Sequence, residues 1–169
     1  HAHWISEKNR RCRQKVPSTT PLVSFIVATF NRSNTIKRAL LSVLNQCYDN
    51  IELIVVNDGS TDNTFAVLHD LVAANKIRYF EQRHMGRSAA RNAGLNLARG
   101  EFIAFLDDDD ELEPDFAKVL IRIIQKDAKL DLVFCNCYRE EGGEKSVMSD
   151  FTALTASNVF YKLLLGNFI

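Results

Sequence analysis

Five consecutive carboxylates, Asp107-Asp108-Asp109-Asp110-Glu111, follow directly on the apolar run Phe102-Ile103-Ala104-Phe105-Leu106. Such a run reads as a strand buried on both faces, so the chain delivers its carboxylates to one spot at a strand end. Like charges held that close repel, and a bound cation relieves the repulsion. Oxygen donors suit Mg²⁺ or Mn²⁺, ions that commonly bind through one or two carboxylates plus the phosphates of a substrate. A solvated acidic turn is the alternative for this segment taken alone.

Further polar groups come in short blocks. Asp58-Gly59-Ser60 sits at a sharp strand-to-helix turn, where Gly59 can adopt φ > 0 and backbone donors are free. A fixed carboxylate at Asp58 could accept N–H bonds from a nucleobase, and capping the next helix is its equal alternative. Arg87 and Arg91 lie four residues apart on one helix face. There they could neutralise a diphosphate, hold a ribose, or pair with the acidic loop. Thr29-Phe30-Asn31-Arg32 closes another strand, and Phe30 offers a ring for stacking a base or for core packing. His84, in Arg83-His84-Met85-Gly86-Arg87, stands alone, and a lone histidine is more often structural than a ligand.

The elements that must position these groups are legible in the apolar pattern. Strands are expected over residues 22–30, 51–57, 77–81, 101–106 and 132–138. Between them, Ser33 can cap a helix that buries Ile36, Leu40, Val43, Leu44 and Cys47. A second helix turns Val67, Leu68, Leu71 and Val72 inward, and a small-residue helix over 88–98 stops at Gly100. Pro114 opens a helix presenting Phe116, Leu120, Ile123 and Ile124, and a last helix covers 156–165. Strands that alternate with helices and are apolar on both faces argue for a mostly parallel sheet wrapped by helices. In such a sheet ligands bind beyond the carboxyl ends of the strands. The polar blocks fall at those ends and almost nowhere else.

Composition narrows the classes of function. With 169 residues the chain is long enough for one domain with a real core. Lys+Arg and Asp+Glu are equal at 21 each, so no global field draws in nucleic acid or an anionic membrane. No apolar run approaches a membrane span, and no signal-peptide hydrophobic region stands at the start. Cys12, Cys47, Cys135 and Cys137 are sparse and lack a Cys-x-x-Cys pair, and Cys135 and Cys137 would share a strand face without bridging. That usage points to a reducing cytoplasm. Residues 1–20 are polar, with a basic cluster Arg10-Arg11-Cys12-Arg13-Gln14-Lys15, and read as a linker or arm. The chain contains no Gly-x-x-x-x-Gly-Lys-Ser/Thr loop, no Gly-x-Gly-x-x-Gly and no Gly-x-Ser-x-Gly elbow. A P-loop ATPase, a dinucleotide enzyme and a serine hydrolase are accordingly disfavoured.

Four segments carry a resemblance when taken in order. They are Val23-Ser24-Phe25-Ile26-Val27-Ala28-Thr29-Phe30-Asn31-Arg32, Ile54-Val55-Val56-Asn57-Asp58-Gly59-Ser60-Thr61-Asp62, Gly86-Arg87-Ser88-Ala89-Ala90-Arg91-Asn92-Ala93-Gly94 and Phe105-Leu106-Asp107-Asp108-Asp109-Asp110. Together they resemble the family 2 glycosyltransferases, whose nucleotide-sugar-binding domain has the GT-A fold. The resemblance implies inverting, metal-dependent transfer of a sugar from a nucleotide diphosphate donor, a UDP-sugar being favoured. Carried over by position, Thr29 and Phe30 would line the base pocket with Arg32 beside them. Asp58 would bond the base, and Arg87 would reach the nucleotide. Asp107-Asp108-Asp109 matches the Asp-x-Asp motif, so Asp109 would bind Mn²⁺ or Mg²⁺, with Asp108 near the ribose and Asp107 supporting. The middle position is itself acidic here, which leaves the division of labour among the three open. The resemblance places the general base on a later Asp or Glu that no residue of this chain matches, while Asp150 and Glu140-Glu141 read as surface charges.

The expected architecture is therefore α/β and GT-A-like, a mostly parallel sheet flanked by helices that forms a Rossmann-like nucleotide-binding half over residues 21–169. Asn167-Phe168-Ile169 reads as a strand cut short, so the donor half is expected to be present and the acceptor half missing. Expected partners are a nucleotide diphosphate sugar and a saccharide, lipid-linked or protein acceptor, with no nucleic acid. The expected location is cytoplasmic, with peripheral association at the inner membrane face also open. Two rival functions are a metal-dependent nucleotidyltransferase, for which the triphosphate loop is missing, and a noncatalytic nucleotide-binding module. The intact acidic cluster argues against the module.

Overall fold

The computed structural model describes residues 20–127, 130–133, 135–141 and 144–147. The chain divides into two compact units, residues 1–122 and 123–169. In chain order the first unit contains β1 (Val23–Thr29), α1 (Ile36–Leu44), β2 (Ile51–Asn57), α2 (Thr64–Ala73), β3 (Arg78–Glu81), α3 (Arg87–Leu97), β4 (Phe102–Phe105) and the start of α4 (Phe116–Lys126). The second holds a hairpin of β5 (Tyr138–Glu141) and β6 (Glu144–Val147).

The four strands of the first unit form one sheet in the order β3-β2-β1-β4. Every pairing is parallel, with Val23 opposite both Ile51 and Phe102, and Asn57 opposite both Thr29 and Glu81. Alternation along β1 and β2 sends side chains to both faces. Val23, Phe25, Val27, Leu53 and Val55 meet Ile36, Leu40 and Val43 of α1, Leu68 of α2, and Ala117 and Ile121 of α4. Ile54 and Val56 point the other way, where Ala90, Ala93 and Leu97 of α3 cover them. Burial of each such aliphatic side chain contributes about 1.5–3 kcal/mol relative to exposure, and Phe25, Val27, Ile54 and Val55 are fully buried.

The small residues of α3 let this helix lie close to the sheet. A Cβ at Gly94 would overlap Ile26 Cγ2, so a larger residue there must displace the Ile26 side chain or push helix and strand apart. A polar network ties the lower edge of the sheet together. Glu52 accepts from Ser24 Oγ, from Arg99 N–H and from Arg78 Nη1, and Gly100 N–H donates to Ser24 Oγ at 2.8 Å. Burial alone would raise the Glu52 pKa, but these donors hold it below the ordinary carboxyl range. The α3–β4 connection is thereby locked to β1 and β2, which sets the register in which β4 delivers the acidic loop.

Several local expectations need correction. Thr35, not Ser33, precedes α1, and no side chain caps that helix. Ser33 instead donates its N–H to Asp62 Oδ2 at 3.1 Å. β4 is not buried on both faces, for Ile103 and Phe105 are 39% and 47% exposed. It forms the edge of the described sheet, with β1 its single neighbour. The described part of 132–137 is not a strand. Tyr138–Glu141 pairs antiparallel with Glu144–Val147 instead. Cys47 is disulfide-bonded, against the reduced inventory expected, since bridging depends on spatial proximity that chain spacing does not reveal. Cys135 and Cys137 are free and exposed. Residues 1–19, the expected helix over 156–165, Asp150 and Asn167-Phe168-Ile169 lie outside the described residues.

Gly94→Ala should lower the unfolding free energy by about 1–3 kcal/mol, read as a shifted urea midpoint at unchanged slope. A loss of a few tenths or less would show that α3 is not close-packed on Ile26.

Candidate nucleotide-binding site

Because the sheet is parallel, β1 to β4 all end on one edge. The chain moves from β1 outward through β2 to β3 and then returns to the opposite side of β1 with β4. The connection therefore reverses between β1 and β4, and a crevice at such a switch point is where open α/β sheets take ligands. The residues after β1 are Phe30-Asn31-Arg32, and the acidic loop follows β4. Ladder bonds continue to the rim, with Asp58 N–H donating to Thr29 O at 2.8 Å and Leu106 N–H to Ile26 O at 3.1 Å.

Asp58 is the hub of the β2 side. It is 2% exposed. Oδ1 accepts from Gln82 Nε2 at 2.6 Å and Met85 N–H at 2.9 Å, and Oδ2 accepts from Gly86 N–H at 2.8 Å. His84 Nδ1 lies 2.8 Å from Oδ2 and 3.1 Å from Asp58 O. Two acceptors face that nitrogen, so the network assigns the proton to Nδ1. Burial would raise the Asp58 pKa, but the Met85, Gln82 and Gly86 donors and His84 together hold it below the ordinary range. Gly59 permits this approach. Its φ is +76°, and a Cβ there would stand 2.8 Å from His84 N.

Neighbouring loops are held by Asn31 and Asp62. Asn31 Oδ1 accepts from Thr61 N–H at 2.8 Å and Asp62 N–H at 3.3 Å, and Asn31 N–H donates to Ser60 Oγ at 2.9 Å. Asp62 accepts from the Thr64 hydroxyl and N–H at the start of α2 and from Ser33 N–H. The Thr64 hydroxyl foremost pulls the Asp62 pKa down to about 2.

Electrostatics of the opposite sign govern the acidic loop. Asp108 is 9% exposed, and its pKa is raised by burial first and by the charges of Asp109 and Asp107 next. Arg32 and the Thr29 hydroxyl work against that rise. Asp110 is raised by burial and by Asp109, Asp107 and Asp108. Arg32 is only loosely engaged, with Nε 3.7 Å from Asp108 and Nη2 3.9 Å from Asp109. Arg38 pairs with Glu111 at 2.7 Å, and Arg91 pairs with Asp107. The Thr29 hydroxyl is buried without a well-formed hydrogen bond of its own. Among the described residues no three His, Cys, Asp or Glu side chains form a ready-made metal cage. An ion carried by one or two carboxylates and completed by ligand phosphates fits this donor set. The raised Asp108 and Asp110 are what a cation and its ligand would relieve.

The predicted residues Thr29, Phe30, Arg32, Asp58, Asp107, Asp108 and Asp109 all lie on this rim. Arg87, the first residue of α3, is exposed, and no ion pair or hydrogen bond engages its guanidinium among the described residues. Arg91 takes the alternative of pairing with the acidic loop. His84 is not alone: its ring stacks on Phe30 with centroids 4.0 Å apart and planes at 25°. Gln82 and Arg38 escaped notice in the sequence, for neither lies in a recognisable motif. Glu140 is exposed in the β5–β6 hairpin.

A parallel sheet with helices on both faces and a switch-point rim of this kind has the GT-A fold. Residues 24–166 match glycosyl transferase family 2, and the chain belongs to that family. It is 41% identical over 133 residues to EpsH of Bacillus subtilis, which is named a glycosyltransferase, covering 78% of this chain and 38% of that protein. It is 38% identical over 115 residues to the chondroitin synthase of Pasteurella multocida, covering 68% of this chain and 12% of the synthase. Among solved structures, S. aureus TarS in complex with UDP-GlcNAc superposes with a TM-score of 0.56 at 30% identity, over 62% of this chain and 31% of that one. The mannosyltransferase PcManGT of Pyrobaculum calidifontis, in complex with GDP-Man and Mn²⁺, gives 0.50 at 25% identity, over 65% and 37%. The chain thus spans less than two fifths of the length of these relatives. Among the described residues no helix is long and apolar enough to cross a membrane.

The folded pKa of Asp62 is depressed below its unfolded value, so its stabilising contribution is complete above about pH 4 and is lost as pH falls through about 2. Asp62→Ala should cost about 1 kcal/mol at pH 7, with the gap from wild type closing between pH 4 and 2 in denaturant titrations. A gap that stays constant across that window would contradict the assignment.

Proposed function

We propose that this chain is the donor-binding part of a glycosyltransferase that moves a sugar from a nucleotide diphosphate, a UDP-sugar being favoured, to an acceptor by an inverting mechanism. The observation that carries the proposal is the buried, charge-crowded Asp108 beside Asp109, at the switch point of a parallel sheet. The UDP-GlcNAc complex of TarS supports a uridine donor, and the Mn²⁺ complex of PcManGT supports a divalent ion. The name of the chondroitin synthase supports a saccharide acceptor and a part in polysaccharide biosynthesis, with lipid-linked and protein acceptors the other candidates. The donor domain is assigned to residues 21–169, with 1–20 as an arm.

In this proposal Asp109 holds Mn²⁺ or Mg²⁺, Asp108 reaches toward the ribose and Asp107, fixed by Arg91, supports them. Bound there, the ion supplies Lewis-acid shielding of the departing diphosphate. Thr29, Phe30 and Asp58 line the base end. Arg32 and the unengaged Arg87 offer cations to the diphosphate as its charge develops. Displacement at the anomeric carbon also requires a general base for the acceptor hydroxyl. Among the described residues no carboxylate is assigned that part.

Calorimetric titration with UDP, GDP and dTDP, each with and without Mn²⁺, tests the proposal on wild type and Asp109→Ala. One nucleoside diphosphate should bind in a Mn²⁺-dependent manner, and the substitution should weaken it by at least about tenfold. Binding indifferent to both metal and substitution would overturn it.

A further inference from the structure

His84 makes two contacts at once. Its imidazole lies flat on Phe30, with centroids 4.0 Å apart, and its Nδ1–H reaches Asp58 Oδ2 at 2.8 Å. A flat π-face against Phe30 and an edge N–H on Asp58 are the two interactions by which this rim would hold a nucleobase. Asp58 cannot simply add a further donor. Each of its oxygens already faces two, with Gln82 and Met85 on Oδ1 and Gly86 and His84 on Oδ2. Met85 and Gly86 donate from the main chain, and Gln82 is partly buried. His84 is the donor free to leave, because 57% of its side-chain surface is exposed and one χ1 rotation carries the ring away from both partners.

We infer that the His84 imidazole occupies the nucleobase seat and is the group that an entering base displaces, which makes His84 a determinant of nucleotide affinity at this site. The inference rests on the donor-site proposal above. Displacement costs the ring stack and one hydrogen bond, while Asp58 keeps its other three donors and stays fixed for the base. The penalty applies only to ligands that carry a base. A diphosphate without one meets the arginines and the acidic loop and leaves His84 in place.

The test compares UDP with inorganic pyrophosphate, both in Mn²⁺, on wild type and His84→Ala. Removal of the imidazole should lower the Kd for UDP by about three- to tenfold and leave that for pyrophosphate unchanged. A second reading needs no variant. In the ¹H–¹³C spectrum of the wild-type protein, the His84 ring signals, shifted by the Phe30 ring current, should move toward free-histidine positions as UDP is added and stay put with pyrophosphate. UDP binding that is equal or weaker in His84→Ala, with ring signals that do not move, would sink the inference while leaving the donor site standing. If neither UDP, GDP nor pyrophosphate binds wild type, the donor-site proposal falls and this inference with it.

Discussion

Parallel pairing of β1 with both β2 and β4 compels every strand of the sheet to end at the same edge, and the ladder carries each loop to a set depth there. Thr29 stands level with Asn57, and Ile26 with Phe105, so the residues beyond them arrive side by side. The reversal of direction between β1 and β4 makes this edge a switch point, the place where open α/β sheets take ligands. Polar groups that lie as much as about eighty residues apart in the chain become one site through this constraint. The lower network of Ser24, Glu52, Arg78 and Gly100 matters for the same reason, because it holds β4 in the one register that puts the acidic loop beside Arg32.

Two carboxylates on this rim show how environment divides labour. Asp58 is more deeply buried than Asp108, yet its pKa is lowered while that of Asp108 is raised. The difference lies in the donors. Asp58 is met by two backbone N–H groups, an amide and an imidazole, which reward the charged form. At Asp108 burial acts first, and like charges add to it against the Thr29 hydroxyl and a loosely placed Arg32. The first is satisfied before any ligand arrives and stitches β2 to the β3–α3 loop. The second is frustrated as it stands, and frustration of this kind at a strand end is a mark of ligand chemistry rather than of scaffold.

The arginines follow the same logic. Arg38 and Arg91 are drawn onto Glu111 and Asp107, and Arg32 lies between Asp108 and Asp109. Arg87 remains exposed at the N-terminal end of α3, where the helix dipole and free amides also favour an anion. Balanced overall charge therefore conceals a strongly patterned rim. Family membership and shared fold describe the whole, while the local electrostatics distinguish one aspartate from the next.

Apolar alternation made β1, β2 and the buried stripe of α1 legible in the chain, because Phe25, Val27, Leu40 and Val43 have no other way to leave water. Motif order likewise marked Asp58 and Asp107 to Asp109 as candidate site residues. Ile103 and Phe105 look as buried as Val55 from hydropathy, and only the strand order puts them on the edge strand of the described sheet. The hairpin at Tyr138–Glu141 was hidden because polar alternating strands lack the apolar signal that marked the others. What the sequence by itself determined was the parallel α/β plan and the inventory of groups at the strand ends, since local pattern and hydrophobic burial act within each segment. The tertiary structure alone decided that Arg91 pairs with Asp107, that Cys47 is bridged and that His84 lies on Phe30 and Asp58. Those contacts join residues distant in the chain, and their geometry exists only once the strands are in register.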